Sequence, residues 1–314
     1  MADHHLEHAQ SHNHSHVPKD FSRAFAIGIT LNLIFVAVEV VYGLASNSLA
    51  LIADGGHNFA DVLSLLLAWG ASMLVNRRPT SRHTYGFKRA TILVSLVSAL
   101  LLYAAIGAIV WEAIGRFRTP VPANSMTIIV VAAIGVVINT ATALLFLSGR
   151  KKDLNIKGAF LHMAADALVS VGVVGAGFAI AATGWLWLDP AISLAIAALV
   201  VLAGWGLLRD SLHLSMDGVP AHIDSREVVA YLTDLPGVSC VHDLHIWAAS
   251  TTENVLSAHL VVSEGGDDKV LHDDFLHRVT DHLQHHFDIN HSTIQIERTI
   301  PTENCMNGGC WIPS

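Results

Sequence analysis

The sequence predicts an α-helical membrane protein in which six transmembrane helices precede a small α+β domain of order αββαβ, ferredoxin-like or metallochaperone-like. Three observations predict it. The 314 residues are 52% hydrophobic and 14% charged, with a mean hydropathy of +0.49, the composition of a chain that lives largely in lipid. Before residue 209 the chain divides into apolar stretches, each long enough for a hydrocarbon core of about 30 Å. Beyond residue 212 the pattern changes to short amphipathic and alternating segments.

The spans are expected at about 21–45, 49–75, 90–115, 123–148, 157–183 and 185–208. The first twenty residues are polar and carry no apolar core of a cleavable signal, so the first run is expected to be retained as a span. Basic residues set the orientation. Arg77, Arg78, Arg82, Lys88 and Arg89 join spans two and three, and Arg150, Lys151, Lys152 and Lys157 join spans four and five. The opposite loops hold only Arg116 and Arg118, so both termini are expected in the cytoplasm. Tyr42, Trp111, Trp185 and Trp187 fall near span ends, where interfacial aromatics anchor.

In the soluble part, Asp224 caps an expected helix from Ser225 to Leu235, and Pro236-Gly237 stops it. Val238 to Trp247 and Asn254 to Val262 read as strands, Asp267 to Phe287 as a helix and Ser292 to Arg298 as a third strand. The resulting organisation is a His-rich amino terminus over 1–20, a membrane domain over 21–209, an α+β domain over 210–300 and a mobile tail over 301–314. Residues 210–314 hold 4 Lys/Arg against 16 Asp/Glu, an acidity that repels nucleic acid and suits contact with cations. Cys240, Cys305 and Cys310 make an odd count without disulfide-like spacing and are expected to be reduced thiols.

One motif is written twice. His57-Asn-Phe-Ala-Asp61 and His162-Met-Ala-Ala-Asp166 share the pattern H-x-x-A-D, in spans two and five. An ionisable group at mid-membrane costs about 2.5–3.5 kcal/mol on insertion scales, so two aspartates there need a compensating role. Hydrogen bonds between membrane helices average only about 0.6 kcal/mol, too little to supply it. At i and i+4 each His and Asp share a helix face, and two such faces together offer the full tetrahedral ligand set for Zn2+. Imidazole binds metal only when neutral, and its pKa is about 6.5, so protons and metal compete for such a site. This predicts metal–proton exchange.

Six spans with cytoplasmic ends, H-x-x-x-D in the second and fifth, Val241-His-Asp-Leu-His-Ile-Trp247, Leu49-Ala-Leu-Ile-Ala-Asp-Gly-Gly-His57 and Arg82-His-Thr-Tyr-Gly-Phe-Lys-Arg89 together resemble the cation diffusion facilitator family over about residues 20–300. The resemblance implies a homodimeric exporter in the plasma (inner) membrane that moves Zn2+ out of the cytoplasm against protons, and not an enzyme. Cd2+ or Co2+ can share the route. It implies His57, Asp61, His162 and Asp166 as the transport site, and the histidine at position 57 is the zinc-preferring variant. It further places His242, His259, His272 and Glu297 at a cytoplasmic Zn2+ site of regulatory or structural role, with His245 as a rival.

Other readings stay open. His4, His5, His8, His12, His14 and His16 can capture metal loosely or form an inert tail. Cys305 and Cys310 can add thiolates to the cytoplasmic site. His83 reads as an ordinary loop residue. Asp54 either guides ions at the mouth of the site or caps and packs, and Asn32 and Glu39 either satisfy one another or line the bundle. Two other function classes are an intramembrane zinc hydrolase and a membrane-anchored metal sensor. The chain lacks H-E-x-x-H, four protein ligands leave no place for a reactive water, and six spans exceed the needs of an anchor.

Overall fold

The computed structural model describes residues 19–75, 77–147, 154–262 and 273–298. Helices α1 (Lys19–Ala45), α2 (Leu49–Val75), α3 (Ala90–Arg118), α4 (Ser125–Phe146), α5 (Leu154–Thr183) and α6 (Leu188–Ser215) come first. They are followed by α7 (Ser225–Thr233), β1 (Val238–Ala248), β2 (Asn254–Val262), α8 (Asp273–Phe287) and β3 (Ile289–Glu297), the αββαβ order expected from the sequence. Among the described residues, α2 to α6 each contain a stretch long and apolar enough to cross a membrane, and α1 adds the apolar segment Thr30–Ala45 within its 27 residues. Helices α3 and α6 outrun the expected ends at 115 and 208, because hydropathy marks where lipid ends while the backbone hydrogen-bond ladder continues into water.

The chain forms two compact units. The first comprises the described residues up to Val62 together with Ile106–Ala198. Here α4 packs along α5, and α1 along α4. Gly135 of α4 makes this possible, since a Cβ there would lie 2.5 Å from Phe35 Cζ and 3.1 Å from Ser170 Oγ. Gly55 of α2 plays the same part toward α1, where an added Cβ would stand 2.9 Å from Glu39 Cβ.

The start of α2 is held by a residue far away in sequence. Ser48 Oγ donates to Asp189 Oδ1 at 2.6 Å, and the N–H groups of Leu49 and Ala50 donate to Asp189 at 2.8 and 3.2 Å. A helix N-terminus leaves such donors unpaired and carries partial positive charge, so a buried carboxylate there satisfies both. Arg116 stands 3.5 Å from the same carboxylate and also donates to the Asn47 carbonyl. This accounts for an arginine on the side that the charge rule leaves nearly empty.

The second unit comprises Leu63–Ala105 and residues from Leu199 onward. Its sheet has the order β1-β2-β3, with β2 antiparallel to β1 and parallel to β3. A parallel pair needs a crossover, and α8 supplies it. Val228 and Leu232 of α7 and Phe275, Val279 and Leu283 of α8 bury against Val241, Ile246, Leu256, Leu260 and Ile289 of the sheet. Asp224 caps α7 by accepting from Arg226 N–H at 2.8 Å. Within this unit Lys88 pairs with Glu253, Arg89 pairs with Asp217, and Thr251 N–H donates to Thr91 Oγ1 at 3.1 Å. These contacts tie the connection between α2 and α3 to the α+β domain.

Candidate metal centres

The two H-x-x-A-D motifs meet. His162 Nε2 lies 3.2 Å from Asp61 Oδ2 and 3.6 Å from Asp166 Oδ2; His57 Nε2 lies 3.6 Å from Asp61 Oδ2 and 3.8 Å from Asp166 Oδ1. With Zn–N and Zn–O bonds of about 2.0–2.2 Å, the corners of a tetrahedron stand about 3.3–3.6 Å apart. The four His–Asp distances lie near that edge length, with Asp166 turning a different oxygen to each imidazole, but no three donor atoms of the quartet, one from each residue, come within 4.8 Å of one another, so the donors ring a wider space than a bound Zn2+ leaves. The two rings stand edge to face with centroids 6.0 Å apart. Asp166 is the most enclosed member, with its side chain 4% exposed, and His162 the least, at 42%. Asp61 Oδ2, Asp166 Oδ2 and His57 Nδ1 are buried and meet no hydrogen-bond partner of good geometry. Buried polar atoms are ordinarily satisfied, so oxygens left this way fit a cation or protons as their missing partner.

Around the quartet lie further polar groups. Asn58 Nδ2 donates to Glu39 Oε2 at 3.1 Å, and Ser170 Oγ donates to Asp54 Oδ2 at 3.2 Å. Asp54 is buried inside the unit rather than placed at a mouth. Asn32 does not satisfy Glu39: its Oδ1 has no partner, and seven residues along a helix span about 10 Å, too far for the two side chains to meet. Of the two readings of this pair, lining the bundle is the one observed.

The second candidate centre lies on the sheet. His242 of β1 sits opposite His259 of β2, and Glu297 ends β3 two residues beyond the partner of His259, on the same face. His242 Nε2 and His259 Nδ1 each stand 2.9 Å from an oxygen of Glu297, and the donor atoms of the three lie within 4.8 Å of one another. Three such ligands leave a fourth position in a tetrahedral site. Burial pushes the Glu297 carboxyl up, but the His242 hydrogen bond and the charges of His242 and His259 outweigh it and hold the carboxyl below its ordinary range.

His245, the rival, stands further off. A register shift between His242 and His245, with Asp243 at φ +52°, breaks the strand's alternation and leaves both histidines on one face, His242 opposite His259 and His245 opposite Ser257. His245 is thus on the side of His242 away from Glu297, exposed at 3.1 Å from Asp243, while His242 is buried. Asp243 itself, 3.7 Å from His259 Nε2, was not expected from the sequence, since only the bulge brings it there. His83 packs its ring on Phe87, consistent with a loop residue. Cys240 is buried on β1. His272, Cys305, Cys310 and the six amino-terminal histidines lie outside the described residues.

Comparison with known proteins matches residues 25–214 to the cation efflux transmembrane domain and residues 220–299 to the cytoplasmic domain of cation efflux proteins. The chain is 37% identical over 297 residues to the zinc transporter ZitB of Escherichia coli (strain K12), with 93% of each chain covered. It is 36% identical over 286 residues to the metal cation efflux system protein CzcD of Cupriavidus metallidurans, covering 91% of this chain and 89% of that one. It is 34% identical over 288 residues to the cadmium, cobalt and zinc/H(+)-K(+) antiporter of Bacillus subtilis, covering 90% and 91%.

Proposed function

Because the chain belongs to the cation efflux family, a family of multi-pass membrane transporters, we propose that it exports divalent cations, Zn2+ first, from the cytoplasm in exchange for protons. The observation that carries this reading is the quartet His57, Asp61, His162 and Asp166, which α2 and α5 bring together with His–Asp distances of 3.2 to 3.8 Å and which holds buried oxygens without donors. Zn2+ is the substrate. The names of the E. coli and B. subtilis relatives support zinc, with cadmium and cobalt as further cargo.

The exchange follows from the ligands. Neutral imidazoles and ionised carboxylates hold Zn2+, and protons arriving from the other side convert imidazole to imidazolium and expel the ion. Access alternates between the two faces, with both termini in the cytoplasm and the protein in the inner membrane. The protein works as a homodimer, a reading supported by a cytoplasmic domain whose family is named for dimerisation. If protons are the counter-ion, Zn2+ entering proteoliposomes that trap a pH-sensitive dye alkalinises the lumen. Accumulation of Zn2+ with no change in lumenal pH would refute the exchange.

His242, His259 and Glu297, with His272 as the fourth ligand, form a cytoplasmic Zn2+ site that favours one arrangement of the dimer by binding it more tightly. Glu297→Gln is expected to lower the zinc retained after dialysis by one ion per chain. Binding at this site strengthens as pH rises through the imidazole range and levels off above it. Glu297, held below its ordinary range, is already ionised there and contributes nothing to the slope. Calorimetric titration at pH 5.5 and 7.5 checks the sign.

A further inference from the structure

We propose that Glu39 of α1 and Asp54 of α2 form a proton-carrying pair that feeds the membrane metal site without binding the metal; this rests on the exchange reading above. Both side chains are enclosed, at 0% and 1% exposure, and so are Asn58 and Ser170, which hold them. Each acid has one oxygen fixed by a donor: Glu39 Oε2 by Asn58 and Asp54 Oδ2 by Ser170. The other oxygens, Glu39 Oε1 and Asp54 Oδ1, have no donor. Gly55, next to Asp54, lets α1 come so close that a Cβ there would stand 2.9 Å from Glu39 Cβ, and Asn58, one turn along α2 from Asp54, holds Glu39, so the two acids share one enclosed neighbourhood. Ionised carboxylates only accept, so two acids enclosed together, each with an oxygen that no donor meets, need a proton.

Charge counting leads to the same place. An ion held by two neutral imidazoles and the carboxylates of Asp61 and Asp166 is already neutralised. Glu39 and Asp54, if both ionised, would add two negative charges with no ion pair to either among the described residues, at a depth where unpaired charge is expensive. The ionisable site residues whose charges reach the pair are His57 on α2 and Asp166 on α5, while the buried polar residues of α4, Asn139 and Thr142, are uncharged. Arg116, in the same unit, is engaged by Asp189, Glu112 and the Asn47 carbonyl.

Placement gives the direction of flow. Asp54 precedes His57 by one turn on α2, and Ser170 follows Asp166 by one turn on α5, so the pair lies on the side of the site toward the turn between α1 and α2. With cytoplasmic termini that side faces outward, where protons enter. In the step itself an O–H bond of the pair breaks, its electrons remain on the carboxylate, and the proton passes to the imidazoles of the site. A second proton from outside restores the pair.

Two fluxes separate this role from a structural one, measured on the full chain in proteoliposomes. Net Zn2+ uptake driven by a pH gradient needs proton delivery; exchange of Zn2+ for Zn2+ at equal pH does not. Glu39→Gln keeps the shape and the hydrogen-bonding capacity, and Asp54→Asn does likewise. Each is expected to reduce gradient-driven uptake by about ten-fold or more and to flatten its dependence on external pH, with Zn2+–Zn2+ exchange and zinc affinity retained. Both fluxes unchanged, or both lost together with zinc affinity, would overturn the proposal. An intact protein without gradient-driven uptake would instead refute the exchange reading, and this one with it.

Discussion

The Asp166→Ala protein is expected to lose zinc transport and to bind zinc at the membrane site more than about 100-fold more weakly, while its metal-free form becomes no less stable than the intact chain. The first part follows from coordination. Loss of a group that only orients a ligand costs about 10–100-fold in affinity, and loss of a ligand costs more. The second part follows from burial. Asp166 Oδ2 accepts no hydrogen bond, and the side chain is almost wholly enclosed, so without metal it is a desolvated acid with little to offset the cost. Removing it relieves that cost. Thermal unfolding with and without Zn2+ checks both parts: the variant gains less stability from zinc than the intact protein, keeping only the share of the cytoplasmic site. A variant that unfolds early even without metal would mean that Asp166 serves the fold rather than the ion.

Asp189→Ala is expected to act in the opposite way, lowering stability by about 3–5 kcal/mol, the cost of leaving a buried charge without its partner. It strips the donors of Ser48, Leu49 and Ala50 and leaves Arg116, itself largely buried, facing an empty corner. Transport falls with it, because α2 carries His57 and Asp61 and its start would fray. Asp189→Asn keeps an acceptor for the helix end and loses less. Unfolding in mixed micelles measures the difference, and an unchanged midpoint for the alanine variant would contradict this account of the brace.

What could be read from the sequence divides by range. His57 with Asp61 and His162 with Asp166 were legible because each pair lies within one turn of one helix, and the motif's repetition named the partner. The cytoplasmic trio was reached through family resemblance alone, since three strands supply it and cross-strand register is not written in any one of them. His245 was a rival through its nearness in sequence to His242, and only the strand pairing, which sets it opposite Ser257 and away from Glu297, separates the two. Least legible was the brace at Asp189, 140 residues from Leu49. Its one trace was an arginine, Arg116, on the side that the charge rule leaves bare. Glu39, Asp54 and Asn58 were visible as polar residues in apolar spans. Helical spacing excludes Asn32 as the partner of Glu39, but only the packing of α1 on α2 identifies the true one.

The most direct test of the central claim, that the quartet carries the transported ion, is uptake of 65Zn2+ into proteoliposomes under an imposed pH gradient, comparing the intact chain with Asp61→Asn and Asp166→Asn. Both substitutions preserve size and remove a negative ligand. Gradient-driven uptake by the intact protein, abolished in either variant, is the predicted result. Undiminished uptake in both variants would contradict the claim and move the transport site elsewhere in the molecule.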